Sequence, residues 1–216
     1  MKTVAFVPVK LNNERLPGKN TKILGDGKPL LQFILGTLLK VKEIAEIYVY
    51  CSSEEVKPYL LPEVRFIKRD AMYDTPSADV NALFASFVNK VSADVYVLAH
   101  ATAPFMRPES ISKGIDVLRT GNYDSVVAVE ALHRFLWNEK EPLNYDKVKI
   151  PRTQDLVGYY LETTGLYIFT KEAMEKEHSR IGARPYLLEV SEIEALDVDT
   201  PMDFSIAQYI YSQMKA

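Results

Sequence analysis

Apolar residues along this chain alternate between short continuous runs and longer stretches at helical spacing, and the switches between the two mark out its elements. Val4–Val9 is a short apolar run that reads as a buried strand, and it opens into a polar loop rich in lysine and asparagine. Pro29 stands where a helix can begin, and Leu30, Leu31, Ile34, Leu35, Leu38, Leu39 and Val41 predict its apolar face. Ile44–Ser52 predicts a second strand and Val64–Ile67 a shorter third. Strand, helix, strand at this spacing is a βαβ unit, which implies parallel pairing with a right-handed crossover.

The alternation continues to the other end. A helix is expected from Ser77, a capping-type residue, with Val80, Leu83, Phe84, Phe87, Val88 and Val91 on its buried side. Asp94–Ala99 is almost wholly apolar, as a central strand covered on both faces should be. Pro108 opens another helix through Ile111, Ile115 and Leu118, with Gly121 as its stop, and Ser125–Val129 is one more buried strand. Thr164–Phe169, Tyr186–Val190 and Ile193–Val198 read as strands and Lys171–Glu177 as a short helix. The last helix runs from Thr200, Pro201 and Asp203 through Met214, with Thr200 able to cap it. Between Glu130 and Tyr160 no period is sustained, and so long a stretch inside a compact unit reads as a projecting arm or interface element.

Composition narrows the picture. The 216 residues fit one domain, with 47% hydrophobic and 25% charged residues typical of a soluble globular protein. A net charge of −3 argues against bulk binding to nucleic acid or to an anionic membrane, so any phosphate ligand must be held by a local basic cluster. Cys51 is the only cysteine, which excludes an intramolecular disulfide and a cysteine-rich metal site. The opening MKTVAF runs straight into a strand and no segment has the apolar length of a membrane span, so the expected location is the cytoplasm. Walker-type, G-x-G-x-x-G and G-x-S-x-G patterns are missing, which removes the common ATPase, NAD and hydrolase readings.

Four polar clusters follow predicted strands, where open α/β sheets bind ligands. They are the Lys10–Lys22 loop, Lys68–Asp74, His100–Arg107, and Asp197 with Asp199. The first carries Lys10, Arg15, Lys19 and Lys22 within thirteen residues, which suits a phosphate site as well as a solvated loop. Asp197 and Asp199, two apart, point the same way on an extended chain and would suit an oxygen-seeking cation such as Mg²⁺; alternatively Asp199 caps the last helix and Asp197 faces solvent. His100 either orients a ligand or satisfies a hydrogen bond at a strand end. Cys51 reads as a small buried hydrophobe, and Trp137 with its neighbouring tyrosines as a partner surface or a cover for the sheet.

Taken in order, these motifs resemble the acylneuraminate cytidylyltransferases, the CMP-sialic acid synthetase type, along essentially the whole chain. VPVKLNNERLPGKN is similar to that family's A-R-x-x-S-K-x-x-x-x-K-N loop, with Leu16, Pro17, Lys19 and Asn20 matching. YVYCSSEEV, KRDAMYDTPSADV with Arg69, ATAPFMRPESI, RTQDLVGYYLETTGLYIF and LDVDTPMDF continue the likeness. It implies a Rossmann-like three-layer α/β nucleotide-diphospho-sugar transferase fold with a mostly parallel sheet, in which residues 130–160 form the dimerisation arm of a homodimer. It also implies transfer of CMP from CTP to the anomeric hydroxyl of a 2-keto sugar acid, with pyrophosphate released. By the same resemblance Lys10, Lys19 and Asp199 are catalytic; Lys10, Asn13, Arg15, Lys19, Asn20, Arg69 and His100 meet the nucleotide; Arg107, Glu162, Thr163 and Thr164 form the sugar side; and Asp197 and Asp199 hold Mg²⁺. The chain departs from the family at Lys10, where arginine is usual, at Asn13 and Glu14 in place of Ser-Lys, at Ser52 in place of aspartate, and at His100 in place of glutamine.

Overall fold

The N-terminal strand β1 (Thr3–Val9) is buried along nearly all its length, and its alternate side chains divide the core in two. Ala5, Val7 and Val9 face one apolar cluster while Val4 and Phe6 face another, as the period of two in a strand requires. The computed structural model describes residues 1–75 and 77–215, so Pro76, within the KRDAMYDTPSADV stretch, and Ala216 lie outside the described residues.

After β1 the basic loop leads to a small antiparallel pair, β2 (Ile23–Gly25) and β3 (Lys28–Pro29), and to α1 (Leu30–Leu38). Then come β4 (Ile44–Cys51), β5 (Arg65–Lys68), α2 (Val80–Val88), β6 (Val95–Ala99), α3 (Pro108–Arg119) and β7 (Ser125–Leu132). The chain finishes with β8 (Tyr159–Thr170), α4 (Lys171–Glu177), β9 (Pro185–Glu189) and α5 (Pro201–Gln213). Seven strands form one sheet in the order β5-β4-β1-β6-β8-β7-β9. Helices α1 and α3 cover one face through Leu31, Ile34, Leu35, Leu38, Ile111, Ile115 and Leu118. Helix α2 covers the other through Leu83, Phe84, Phe87 and Val88, joined by Met174 of α4. This is the three-layer α/β arrangement expected from the sequence.

Four strand pairs are parallel, but β8 runs antiparallel to both β6 and β7. That reversal matters for the site. β6 ends at Ala99 opposite Leu166, so the first residues of β8 extend past the carboxyl end of β6. The β7–β8 register also slips: two steps from Val127 to Val129 are matched by five from Tyr167 back to Glu162. In the slipped segment Thr164 has a positive φ of 58°. Such an irregularity re-aims side chains.

Several boundaries differ from the sequence reading. Helix α2 starts at Val80, because the Asp79 side chain, rather than that of Ser77, accepts from the backbone N–H groups of Asn81 and Ala82. Ile193–Val198 is not a strand: Ser191 and Glu194 hold a turn, and the following residues are extended without a ladder. Strands β7 and β8 reach into the 130–160 region as a ribbon, where pairing across the strands wins over the mixed side-chain pattern. Beyond it Asn144 bonds Leu136 and Arg134, and the Trp137 indole donates to Tyr145 at 2.9 Å. No helix among the described residues is long and apolar enough to cross a membrane.

Gly165 carries the contact between β8 and the turn after β6. His100 N–H donates to its carbonyl at 3.0 Å, and a Cβ at this position would come within 2.7 Å of the Ala103 Cβ. Strand glycines normally give way to alanine with a gain in stability. Here the clash reverses the sign, and Gly165→Ala is expected to lose about 1–3 kcal/mol. Urea unfolding would show a lower midpoint; an unchanged or higher midpoint would contradict the packing described.

Candidate functional site

The carboxyl ends of β1 and β6, the start of β8 and the segment before α5 surround a cavity of about 540 Å³. Its lining includes Lys10, Asn13, Glu14, Arg15, Lys19, Asn20, His100, Thr102, Thr164, Asp197 and Asp199. Three of the four polar clusters read from the sequence therefore meet in one place.

The basic loop is shaped before any ligand is considered. Gly18 takes φ 66°, allowing the Lys19–Thr21 turn, and Asn20 donates to the Lys10 carbonyl at 2.9 Å. Leu16 and Leu24 sink into an apolar cluster with Phe105, Val198, Phe204 and Ala207, which ties the loop to α5. Lys19 is thereby nearly buried, and an isolated buried ammonium is costly. Its Nζ lies 2.6 Å from Asp199 Oδ1, and Arg15 reaches the other oxygen at 2.5 Å.

Asp199 is free to do this because it does not cap α5. Thr200 accepts from Asp203 N–H, and Asp203 in return accepts from the backbone of Thr200 at 2.7 Å, a reciprocal capping box. Val198 is buried and its N–H donates to the Thr102 carbonyl at 2.8 Å, so Asp197 and Asp199 on either side of it both face the cavity. Thr164 donates to Asp197 Oδ2 at 3.2 Å, while Oδ1 is buried without a hydrogen-bond partner. Burial first, and the neighbouring Asp199 charge, push the Asp197 carboxyl above its ordinary value, although Thr102 and Thr164 work the other way. A buried, unpartnered carboxylate oxygen beside a second carboxylate is a donor set that a hard divalent cation would satisfy. Among the described residues no cluster of three or more His, Cys, Asp or Glu could hold a metal, so a cation here would have two protein carboxylates and would need its other oxygens from elsewhere.

Other expected residues fall elsewhere. Arg69 is buried at the ends of β4 and β5, paired with Asp74, which also accepts from Ser52, and it is not in the cavity lining. Thr163 is spent on the Ala128 carbonyl. Glu162 binds Tyr167 and Arg180. Arg107 is not in the cavity lining; its guanidinium lies 2.8 Å from the buried Glu194. Sequence reasoning missed Thr102 and Arg180. Thr102 stood inside the ATAPFMRPES segment that follows β6, whereas nothing local marked Arg180, which arrives from the loop after α4.

The His100 ring meets Phe84 edge-on at 6.3 Å and its Nε2 is buried without a partner. Burial, then the positive charges of Arg180 and Lys19, lower its pKa to about 4.

Comparison with known proteins follows this geometry. The family described as Cytidylyltransferase matches residues 4–215. N-acylneuraminate cytidylyltransferase A of Danio rerio is 25% identical over 214 residues, covering 94% of this chain and 49% of that protein. The chain thus spans about half the length of that vertebrate relative. CMP-N,N'-diacetyllegionaminic acid synthase of Legionella pneumophila is 28% identical over 226 residues, covering 96% of this chain and 95% of that one. In fold, a CMP:2-keto-3-deoxy-manno-octonic acid synthetase complexed with CTP superposes with a TM-score of 0.73 at 19% identity, over 99% of this chain and all of that one.

A histidine whose folded pKa is depressed leaves the native state binding fewer protons than the unfolded one. Its contribution is complete above pH 6.5 and is lost as pH falls through about 4. It amounts to at most about 3 kcal/mol. Wild-type stability should therefore drop more steeply than that of His100→Gln over this window in denaturant titrations at several pH values. Parallel curves would mean that His100 protonates freely in the folded protein.

Proposed function

The chain belongs to the cytidylyltransferase family, and from that membership we propose that it transfers CMP from CTP to the anomeric hydroxyl of a 2-keto sugar acid, releasing pyrophosphate. The observation that carries the reading is the Arg15–Asp199–Lys19 arrangement with Asp197 beside it, which gathers cations for a triphosphate and carboxylates for its metal in one cavity. The named activities of the Danio and Legionella relatives favour an acidic nonulosonic sugar.

In this reading Lys10, Lys19 and Arg15 offset the triphosphate charge, Asn13 and Asn20 shape the loop around it, and Arg69 supports the nucleotide from the β4–β5 edge. Asp197 and Asp199 hold Mg²⁺, which when bound lowers the pKa of the sugar hydroxyl and offsets charge on the phosphoryl group. The sugar hydroxyl gives its proton to water as its oxygen attacks the α-phosphorus, the bond from that phosphorus to the bridging oxygen breaks, and the leaving pyrophosphate keeps the bonding electrons. Both Asp199 oxygens are paired, to Lys19 and to Arg15, so for Asp199 to hold the ion one of these pairs must open, and the cation so released would face the charge on the phosphates. Thr164 keeps Asp197 in its rotamer.

One observation favours a second reading, a CTP-binding protein without turnover. Lys10, Asn13 and Glu14, where the family usually has arginine and a Ser-Lys pair, all line the cavity. The loop can therefore still meet the nucleotide through Lys19, Asn20 and Arg15 while lacking the arginine fork and the second lysine that would act in transfer.

A homodimer is the expected assembly. Val148, Ile150 and Val157 in the arm are exposed, together with Trp137. Val148→Asp combined with Val157→Asp should shift sedimentation to the monomer; an unaltered dimer would place the interface elsewhere.

Pyrophosphate release should be followed with CTP, Mg²⁺ and a panel comprising N-acetylneuraminate, N,N'-diacetyllegionaminate and 3-deoxy-manno-octulosonate. One sugar is expected to support release, and Asp199→Asn should lower kcat/KM by roughly 100-fold or more with the fold intact. Near wild-type turnover in that variant would remove Asp199 from the metal site. CTP binding without release for every sugar would favour the second reading.

A further inference from the structure

An acidic sugar brings a carboxylate, and the cation assigned to it from the sequence, Arg107, is engaged outside the cavity with Glu194. Another cation, Arg180, lies outside the cavity lining but close behind it, against Phe84, whose ring meets that of the lining residue His100. Arg180 donates through one terminal nitrogen to the Tyr167 hydroxyl at 2.9 Å and to Glu162 at 3.2 Å. Its guanidinium lies 4.0 Å from the centre of the Tyr167 ring and 5.6 Å from that of Phe84. We propose that Arg180 binds the carboxylate of the sugar acid, and that Glu162 is an internal counter-ion which this carboxylate displaces. The inference rests on the reaction proposed above.

Three observations support it. The first is placement. Glu162 is two residues from Thr164, which lines the cavity and holds Asp197, on the part of β8 that overruns the end of β6. Phe84 touches both Arg180 and His100, and His100 is itself in the lining, so the guanidinium sits one ring behind the cavity wall. The drop in the His100 pKa through the charge of Arg180 agrees with that proximity.

The second is preorganisation. Two aromatic rings hold the planar guanidinium, so much of its side-chain entropy is already lost before a ligand arrives. Burial raises the Tyr167 phenol above its ordinary value, so that it remains a neutral donor or acceptor and never competes as an anion.

The third is the incomplete use of the cation. The side chain of Arg180 is only 22% exposed, while that of Glu162 is 42% exposed. Glu162 meets a single nitrogen, whereas a guanidinium can hold a carboxylate through two parallel bonds. Among the described residues the other side-chain nitrogens of Arg180 make no hydrogen bond. A substrate carboxylate would therefore replace a one-point contact by a two-point one. Glu162, already near water, would give up its contact with Arg180 and the hydrogen bond from the Tyr167 hydroxyl, which the incoming carboxylate can accept in its place.

The test uses whichever sugar acid of the panel supports pyrophosphate release, together with its C1 amide. Arg180→Gln should raise KM for the acid about 10-fold to 100-fold, leave KM for CTP within about twofold, and abolish most of the preference for acid over amide. Arg180→Lys, which keeps charge without the fork, should fall between; it also serves if the glutamine variant fails to fold by thermal melting. Glu162→Gln should lower KM for the acid, whereas a merely structural role for the cluster would raise it. An Arg180 variant with unchanged KM and unchanged acid-over-amide preference, or a Glu162→Gln variant with raised KM, overturns the inference while the reaction stands. If the wild type turns over no acid of the panel, the proposed reaction fails first and the inference falls with it.

Discussion

The pairing of Lys19 with Asp199 joins two residues 180 positions apart, and the cavity depends on it. Lys19 is nearly enclosed because the loop around it is packed down by Leu16 and Leu24 onto α5. A charge so placed requires an opposite charge. Asp199 supplies it only because Thr200 and Asp203 take over the capping of α5, and because buried Val198 turns its neighbours toward the cavity. Loop, turn and helix terminus are therefore set by one electrostatic need and by the apolar cluster beneath it.

The antiparallel strand β8 brings the other half of the site. Parallel strands β1 and β6 end at the cavity, and a strand running the opposite way must begin there. Its register slip opposite β7 leaves Thr164 at positive φ beside Asp197, and Gly165 allows the His100–Ala103 turn to approach closely. The cavity is thus built from strand ends of opposite direction. Cations line it on the β1 side at Lys10, Arg15 and Lys19, and Arg180, outside the lining, lies against Tyr167 of β8. His100 is kept neutral at ordinary pH by burial first and then by the charges of Arg180 and Lys19. Such a field suits a pair of anionic ligands in a way that the chain's net charge of −3 would not suggest.

Much of the layered fold was legible in the chain. Short apolar runs such as Val4–Val9 and Asp94–Ala99 announced buried strands, and helical spacing from Leu30 to Leu38 announced a covering helix, because period is a property of local sequence. The same held for the capping residues at Thr200 and Asp203 and for the basic loop. The paired aspartates were legible as well, since a spacing of two on extended chain needs no tertiary information.

What the sequence determined by itself, then, was most of the strands and helices of the main sheet and its cover, the family motifs, and the residues that could carry charge into a site. Only the tertiary structure decided which of them meet. Ile193–Val198 has the composition of a strand, yet the buried Glu194, bonded by Ser191, Ser110 and Arg107, makes the start of it a turn. That same Glu194 pairs with Arg107, which is not in the cavity lining, while Arg180 comes from a loop with no distinguishing pattern and is held by Tyr167 and Phe84 from two other elements. Local period records whether a side chain is buried. It does not record which distant charge or ring will be its neighbour, because that follows from strand order and direction across the sheet.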